Sequence, residues 1–433
     1  MYKGHVEPFF EIEEKLEVRD GEDRDIKLKF TRHGPVIAQT KEHAFAVRAA
    51  WLEPGMAPYF GSIEYMRAEN YREFISALNR WGAPSENQVY ADVDGNIGYK
   101  PAGRFPKRDN WDGLMPVPGD GTYEWDGYFD MDVLPEEYNP ARGFTGTANA
   151  LSLPKDYPIA KYKVGFEWSA PWRYKRLWEY LQASNTHSME DSLALQRDYL
   201  SVLARNVLAL LPDLATSNPE TGGPLLASWD HRLKADSAAA ALWNVWYYRH
   251  LSPTLGRLVL DRKKSPQSNL STQQTLKMLA TPQGKSIAIK TLQSAWQDTV
   301  EKLGPDSDAW QWGHLHKIAL QHPLLHLANP ELAEKMRVNA YPRGGSANTT
   351  NNNGFGNDTF DVRSGASFRI VMDVGNWDEA KMTNVPGQSG DPRSGFYDNL
   401  LENWATDSHV PLLFSRERVE EGAVKRITLV PAI

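Results

Sequence analysis

Apolar and charged residues alternate along the first part of the chain. The alternation runs over Phe10–Val18 and again over Ile26–Phe30, and Asp20-Gly21 lies between the two runs. A period of two residues is typical of strands that bury one face, and an Asp-Gly pair is typical of a turn. The pattern therefore predicts that the chain begins with two β-strands joined by a turn.

The next stretch predicts one helix and a second pair of strands. Apolar residues recur at helical spacing over residues 71–81. Gln88–Asp92 and Asn96–Tyr99 then flank Asp94-Gly95, which is the strongest short hairpin signal in the sequence. Residues 100–160 are rich in Pro and Gly and have few periodic stretches, so we expect long ordered loops there.

Helical periodicity dominates from Pro171 to about residue 338. Ser188-Met-Glu-Asp191 has the form of a capping box at the start of a helix. The apolar residues that follow predict one long helix with a single apolar face, made of Leu193, Leu200, Leu203, Val207 and Leu210. Further helices are expected at Asp236–His250, Ser271–Ala280 and Gly284–Leu303.

Strand chemistry returns after the helical block. Ser367–Asp373 and Arg426–Val430 are rich in β-branched and aliphatic residues and predict strands. Asn348–Gly354 is polar and flanked by glycine, which is typical of an exposed or ligand-facing loop. The order of strands, helices and strands favours an α+β fold over repeated βαβ units. We expect one domain with a sheet-rich part over residues 1–170, a largely helical insertion over 171–338 and a return to the sheet over 339–433.

Composition excludes several classes of protein. The 433 residues are 41% hydrophobic, which is ample for a large core and rules out a disordered chain. The 48 Lys and Arg against 55 Asp and Glu give a net charge of −7 without a basic block, so we expect no nucleic-acid partner. No apolar run is long enough for a membrane span. With no cysteine, the chain has no disulfide, thiolate zinc site or cysteine nucleophile.

Pairs of carboxylates offer a first candidate chemistry. Two carboxyl groups about 5–9 Å apart can hydrolyse glycosides, and the neighbouring pairs in this chain are Asp92 with Asp94, Glu124 with Asp126 and Asp130 with Asp132. Such residues more often serve turns and surfaces, so a glycosidase is kept as an alternative. The histidines His314, His316, His322 and His326 could bind a metal, but they lack a recognised ligand motif and packing is favoured.

Serine nucleophiles receive weak support from local motifs. Gly387-Gln-Ser-Gly390 lacks the spacing of a nucleophile elbow, and a turn is the preferred interpretation. Gly344-Gly-Ser346 and Gly61-Ser62 contain the Gly-Ser bond that autoprocessing enzymes cleave, but this dipeptide is common.

Several strings occur together in one order along nearly the whole chain. They include Thr31-Arg-His-Gly-Pro-Val36, Tyr90-Ala-Asp-Val-Asp-Gly-Asn-Ile-Gly-Tyr99, Gly143-Phe-Thr-Gly-Thr-Ala-Asn149, Trp172-Arg-Tyr-Lys-Arg-Leu177, Gln196-Arg-Asp198 and Gly365-Ala-Ser-Phe-Arg369. By their order and spacing the chain resembles the penicillin acylase family of N-terminal-nucleophile hydrolases. The resemblance implies an αββα sandwich of two antiparallel sheets and the hydrolysis of linear amides such as penicillins and N-acyl homoserine lactones.

The resemblance also implies how such an enzyme is assembled. Family members are made as secreted precursors and cut so that a serine becomes the first residue of the β chain. The present chain is similar to the C-terminal portion of a β chain. We therefore expect the α chain and the segment with the nucleophilic serine to be missing, the chain alone to be inactive, and the location to be periplasmic or extracellular. A non-catalytic pseudoenzyme or ligand-binding module is the main alternative.

The same resemblance assigns candidate site residues. Asn149, in Thr147-Ala-Asn149, corresponds to the side chain that stabilises the oxyanion, and Arg173 to the arginine that orients it, with Arg176 as the nearby alternative. Ser62 and Glu86 stand where phenylacetyl-specific members have apolar pocket residues, which argues against a benzyl pocket. Lys161 replaces one carboxylate of a family calcium site, so we expect no bound calcium and no other cofactor.

Overall fold

The computed structural model describes residues 1–56, 59–260, 270–356 and 359–431. These residues form two compact units. The first consists of Met1–Thr147 with Leu151–Trp168, and the second of Ala148–Ala150 with Ser169–Ile433. Both contain helices and antiparallel strands, as the α+β prediction requires. The division into residues 1–170, 171–338 and 339–433 stays a prediction.

An antiparallel four-stranded sheet opens the first unit. It consists, in spatial order, of β1 (Phe10–Leu16), β2 (Arg24–Thr31), β3 (Gly34–Gln39) and β4 (Ala44–Ala46). Phe10 pairs with Phe30, and Leu16 with Arg24. The predicted pair of strands is confirmed, although β1 ends two residues before Val18.

A second sheet and one α-helix complete the regular part of this unit. Asn70 caps α1 (Tyr71–Leu78) because its Oδ1 accepts a hydrogen bond of 3.1 Å from the Glu73 amide. The strands are β5 (Glu86–Ala91), β6 (Ile97–Ala102) and β7 (Glu137–Tyr138). The predicted hairpin between β5 and β6 is confirmed, and Gly95 supplies the positive φ of 84° in its turn.

The core of the first unit lies between α1, β6 and a loop over residues 129–134. Its buried side chains are Leu78, Trp81, Ala102, Phe129, Met131 and Leu134. Apart from β6, β7 and a short 3-10 turn at Met131–Val133, residues 100–160 run as loops. The loops expected from the Pro- and Gly-rich composition are therefore confirmed.

All the α-helices of the described residues except α1 lie in the second unit. Their bounds are α2 (Trp172–Gln182), α3 (Met189–Gln196), α4 (Val202–Ala209), α5 (Gly223–Ala227), α6 (Ala238–Val245), α7 (Ser252–Val259), α8 (Thr272–Leu279), α9 (Pro282–Leu303), α10 (Trp312–Leu315), α11 (Pro330–Lys335), α12 (Leu401–Ala405) and α13 (Arg416–Glu421). A π-helical turn, Trp246–Leu251, joins α6 to α7. The fully buried Leu203, Leu242 and Trp246 belong to their common core.

The predicted single helix through Leu193 and Leu210 is wrong. The capping box at Ser188 starts α3 as expected, but α3 ends at Gln196 and α4 begins at Val202. Ser201 caps α4 by accepting a hydrogen bond of 3.1 Å from the Ala204 amide. The bend between α3 and α4 buries a charged residue, Asp198, which the apolar period alone does not reveal.

Two small antiparallel sheets follow the helices. They contain β8 (Asn353–Phe355) with β9 (Val362–Gly365), and β10 (Arg369–Asp373) with β11 (Asn376–Thr383) and β12 (Val410–Pro411). The strand predicted at Ser367–Asp373 is confirmed as β10. The strand predicted at Arg426–Val430 is wrong. Leu429 is 91% exposed, and no described strand pairs with this stretch. Its backbone N–H and C=O groups therefore form no β-ladder hydrogen bonds with the described strands, which a strand requires.

The asparagine-rich tract is not the exposed loop that its composition favours. Thr349, Asn351 and Asn353 are buried. The Asn353 Nδ2 donates to the Gly344 backbone oxygen at 3.1 Å, and the Thr349 Oγ1 donates to the Asn351 backbone oxygen at 2.7 Å. Because Thr349 and Asn353 find hydrogen-bond partners within the protein, these polar side chains can be buried.

Candidate active site

Asn149 lies in a loop that is tied to the start of α2. Its φ is +63°, a left-handed conformation that a short polar side chain such as asparagine tolerates. Its backbone oxygen accepts a hydrogen bond of 2.9 Å from the Ser169 amide, two residues before Pro171. The loop therefore holds the Asn149 side chain, which is exposed, beside the first turn of α2.

Arg173 in the first turn of α2 contacts the Asn149 side chain. Its Nη2 donates to the Asn149 Oδ1 at 3.0 Å. The preceding residue, Trp172, is 2% exposed and its Nε1 donates to the Thr272 Oγ1 at 2.8 Å, which anchors the start of the helix in the core. The two residues that the resemblance pairs are thus brought together.

The contact fixes the orientation of the Asn149 carboxamide. A guanidinium group only donates hydrogen bonds, so the atom that faces Arg173 must be the carbonyl Oδ1. The Nδ2 group lies on the other branch of the carboxamide and is directed away from Arg173. Two N–H donors oriented in this way can stabilise a developing oxyanion.

Arg173 keeps its positive charge in a partly desolvated place. Burial lowers the pKa of Arg173, but an arginine remains protonated at neutral pH. Among the described residues, no carboxylate pairs with its guanidinium. The hydrogen bond to Asn149 is therefore charge-assisted and stronger than one between neutral groups.

Arg176, the alternative orienting residue, points to another partner. Its Nε donates to the Asp198 Oδ2. The Asp198 Oδ1 accepts from the Arg232 Nη1 at 2.7 Å and from the Leu200 amide at 3.1 Å. Arg173 is therefore the arginine of this helix that contacts Asn149, whereas Arg176 joins α2 to the bend between α3 and α4.

A second buried ionic group was not predicted from the sequence. The Asp407 Oδ1 accepts from the Arg343 Nη2 at 2.6 Å, the Arg369 Nη1 at 2.8 Å and the Asn351 Nδ2 at 2.9 Å. Burial would raise the pKa of Asp407, but Arg343, together with Tyr199 and Arg369, lowers it overall. The asparagine tract and the string that ends at Arg369 both belong to this group, but a local pattern cannot identify their long-range partners.

Ser62 and Glu86 lie in the first unit, whereas Asn149 and Arg173 lie in the second. Ser62 is half-buried in the 3-10 segment Tyr59–Arg67, and Glu86 is exposed as the first residue of β5. Their predicted part in acyl specificity stays a prediction.

Three of the four candidate histidines form hydrogen bonds with backbone oxygens, and His314 is exposed. The His316 Nδ1 donates to the Arg343 backbone oxygen at 2.7 Å, and its ring stacks on Trp312. The His322 Nε2 donates to the Gly390 backbone oxygen at 3.0 Å. His326 likewise binds a backbone oxygen, that of Pro323, at 3.1 Å. Within the described ranges, no group of three or more His, Asp or Glu side chains could hold a metal ion.

The serines of two of the three candidate serine motifs accept hydrogen bonds from nearby backbone amides, and Ser62 lies in a 3-10 segment. The Ser389 Oγ accepts a hydrogen bond of 3.1 Å from the Asp391 amide, although Ser389 and His322 both line a cavity of about 1140 Å³. Ser346 is 2% exposed, and its Oγ accepts from the Asn348 amide at 3.2 Å. The preferred turn interpretation of Gly387–Gly390 is confirmed.

Two of the candidate carboxylates, Asp92 and Glu124, have structural partners. Asp92 accepts the backbone amides of Asp94 and Asn96 and the Tyr90 hydroxyl, so it closes the hairpin turn. Glu124 accepts from the His33 Nε2 at 2.8 Å and pairs with Arg48. These contacts are those of a turn residue and of an ion pair, not of a glycosidase acid and base.

Lys161, which the resemblance aligns with a carboxylate of a family calcium site, does not fit a calcium ion. Its Nζ lies 4.9 Å from the centre of the Tyr162 ring. A lysine ammonium supplies no oxygen ligand and repels a divalent cation. We therefore derive no chemical step through calcium.

Among the helices of the described ranges, none combines the length and the apolar character that crossing a bilayer requires.

Comparison with known proteins identifies a family for the chain. The family model described as penicillin amidase matches residues 1–421. The penicillin acylase 2 proenzyme of Pseudomonas sp. (strain SE83) is 29% identical, over 100% of this chain and 57% of that protein. The acyl-homoserine lactone acylase QuiP of Pseudomonas aeruginosa is 26% identical, over 93% of this chain and 54% of that protein. The chain thus spans about half the length of the curated relatives it matches.

A solved structure has the same fold. The thermostable penicillin G acylase from Alcaligenes faecalis superposes with a TM-score of 0.70 and 20% sequence identity, covering 100% of this chain and 83% of that chain. At this identity the likeness concerns the fold alone. It agrees with the predicted sandwich fold with its helical part.

Proposed function

Because the chain belongs to the penicillin amidase family, we propose that it forms part of an enzyme that hydrolyses linear amides through an acyl-enzyme. Asn149 is the oxyanion donor of this enzyme and Arg173 orients it. The observation that carries the proposal is the 3.0 Å contact between Arg173 and the Asn149 Oδ1. The contact occupies the Oδ1 atom of an exposed asparagine, so the Nδ2 group is the part of the carboxamide that can serve as a hydrogen-bond donor.

The chemistry of amide hydrolysis explains why this donor matters. When a serine hydroxyl attacks an amide carbon, the carbonyl oxygen gains negative charge, and a fixed N–H donor stabilises it more than it stabilises the substrate. The terminal α-amine of the serine, with a pKa near 8, takes the proton of the attacking hydroxyl and later passes it to the leaving amine. Among the described residues, Asn149 is proposed to supply the hydrogen-bond donor for this reaction and Arg173 to orient it.

The substrate class follows from the names of the relatives. Those relatives are penicillin acylases and acyl-homoserine lactone acylases, and both activities cleave an N-acyl amide. We propose that the substrate here has the feature that both activities share, a linear amide between an acyl group and an amine. The nucleophilic serine and an α chain are proposed to come from family segments that the matched motifs do not include. The enzyme is proposed to be periplasmic or extracellular.

The test joins the chain to the segment of the Pseudomonas SE83 relative that it does not match, and assays the folded chimera. The substrates are penicillin G, an N-acyl homoserine lactone and chromogenic phenylacetyl, glutaryl and long-acyl amides. We expect release of the amine from at least one of them, and none from the 433-residue chain assayed alone. A folded chimera that is silent on every amide contradicts the proposal and favours a non-catalytic module.

A further inference from the structure

The buried carboxylate of Asp198 lies at the centre of a set of fixed donors. Its side chain is 4% exposed and receives the Arg176 and Arg232 guanidinium groups and the Leu200 amide. Its backbone oxygen accepts a hydrogen bond of 3.1 Å from the Asn351 amide. Asn351 in turn binds the buried Asp407. Asp198 is therefore held by several parts of the second unit and cannot move independently.

Arg173 and Arg176 leave the same side of α2. They are three residues apart, a spacing that places side chains next to each other on a helix. One contacts Asn149 and the other contacts Asp198. Because a helix moves as a rigid body over one turn, a rotation or shift of α2 that changes one contact changes the other.

Asp198 also gives Arg176 a partner different from that of Arg173. Without its carboxylate, the remaining carboxylate partner of Arg176 is Glu179, at 3.8 Å. Glu179 already pairs with Arg205. An arginine released from Asp198 would lie beside Arg173 with a like charge, which would disfavour the position that Arg173 holds at the Asn149 Oδ1.

We infer that Asp198 is a positioning residue for the oxyanion site, which holds Arg176 and helix α2 so that Arg173 keeps the Asn149 carboxamide in place. The inference rests on the proposed function of the Asn149–Arg173 pair. Asp198 acts through Arg176 and touches neither substrate nor reacting atoms.

The first experiment observes the Asn149 carboxamide directly in the 433-residue chain. Selective ¹⁵N-asparagine labelling gives one pair of side-chain N–H signals for each asparagine. The pair that is lost in Asn149→Asp belongs to Asn149. We expect this pair to shift or broaden in Asp198→Ala, in Arg176→Gln and in Arg173→Ala. Asp198→Glu should return it toward its original position. Arg176→Gln keeps the test decisive if Asp198→Ala fails to fold.

Asp298→Ala is the matched control. Asp298 also contacts two basic residues, His250 and Lys302, both at 3.0 Å, but it lies on α9. This variant should leave the Asn149 signals unmoved. An Asn149 pair that responds to Arg173→Ala but not to Asp198→Ala or Arg176→Gln overturns the inference, as does an equal response to Asp298→Ala.

The second experiment measures catalysis in the chimera. Asp198→Ala should lower kcat by about tenfold or more, because misplacement of a catalytic group by even 1 Å is costly, and should change KM by less than about twofold. When Asn149 is already replaced by Asp, Asp198→Ala should lower kcat little further. A purely structural effect of Asp198→Ala would instead lower kcat by the same factor in both backgrounds. A chimera without activity would contradict the proposed function, but the labelling result would still decide the role of Asp198.

Discussion

The Arg173 Nη2 lies 3.0 Å from the Asn149 Oδ1, although the two residues are 24 positions apart. The loop and the helix that carry them are joined a second time by the hydrogen bond from the Ser169 amide to the Asn149 backbone oxygen. Side chain and backbone of Asn149 are thus both fixed by the segment that enters α2. This double support is what a preorganised hydrogen-bond donor requires.

The charge of Arg173 should matter beyond its hydrogen bond. In the active chimera, Arg173→Gln can still donate to the Asn149 Oδ1 but is neutral, whereas Arg173→Lys keeps the charge. Since charge-assisted hydrogen bonds are about twice as strong as neutral ones, we expect the larger loss of kcat in the Gln variant, about 10- to 100-fold. Steady-state kinetics measure it, and equal losses in both variants would show that the charge is irrelevant.

Asp407 should be a major source of stability. Asp407→Ala leaves the guanidinium groups of Arg343 and Arg369 buried without their carboxylate. Removing one partner of a buried ion pair costs about 3–5 kcal/mol, and we expect a loss of this size in the free energy of unfolding. Urea denaturation measures it. Asp298→Ala, whose ion pairs are more exposed, should cost less than about 1 kcal/mol, and a similar loss in both variants would contradict the assignment.

Stability should fall in mild acid because of His316. Burial lowers the pKa of His316 to about 4, below the 6.5 of an exposed histidine. Between these pH values the unfolded chain binds a proton that the folded chain does not bind, so stability is complete above pH 6.5 and decreases by about 3 kcal/mol as the pH falls to 4.

His316→Asn tests this source of acid sensitivity. Asparagine can still donate to the Arg343 backbone oxygen but does not titrate. The free energy of unfolding, measured in urea at pH 7 and pH 5, should fall less between the two pH values in the variant than in the parent. The same decrease in both proteins would assign the acid sensitivity to other groups.

Ser201 should stabilise the bend between α3 and α4. Ser201→Ala removes the buried cap of α4, so the Ala204 amide loses its acceptor. We expect a cost of about 1–2 kcal/mol in urea denaturation. Ser188→Ala, which removes the exposed cap of α3, is the comparison and should cost about 1 kcal/mol or less. A stability unchanged by Ser201→Ala would show that the cap does not hold the bend.

The features that could be predicted from the sequence depend on local contacts. The hairpin at Asp94-Gly95 and the capping box at Ser188 are set by residues within four positions, and both were found. Asn149 and Arg173 were identified through the resemblance, and the structure places them in contact.

The features that were missed depend on distant partners. The helix predicted through Leu193 and Leu210 breaks where Asp198 meets Arg176 and Arg232, which are 22 and 34 positions away. The burial of Asn351 depends in the same way on Asp407, 56 positions away. The hydrophobic periodicity of a sequence does not reveal such contacts, because they form only when separate helices and loops pack together.

The most direct test of the oxyanion role is the Asn149→Asp variant of the chimera. Aspartate keeps the size of the side chain, tolerates the positive φ and can pair with Arg173, but it has no N–H to donate. Asn139→Asp is the control, because Asn139 is also an exposed asparagine with positive φ. The account predicts that kcat for amide hydrolysis falls about 10²- to 10³-fold in Asn149→Asp and stays near the parent value in Asn139→Asp. An Asn149→Asp chimera with the parent kcat would contradict it.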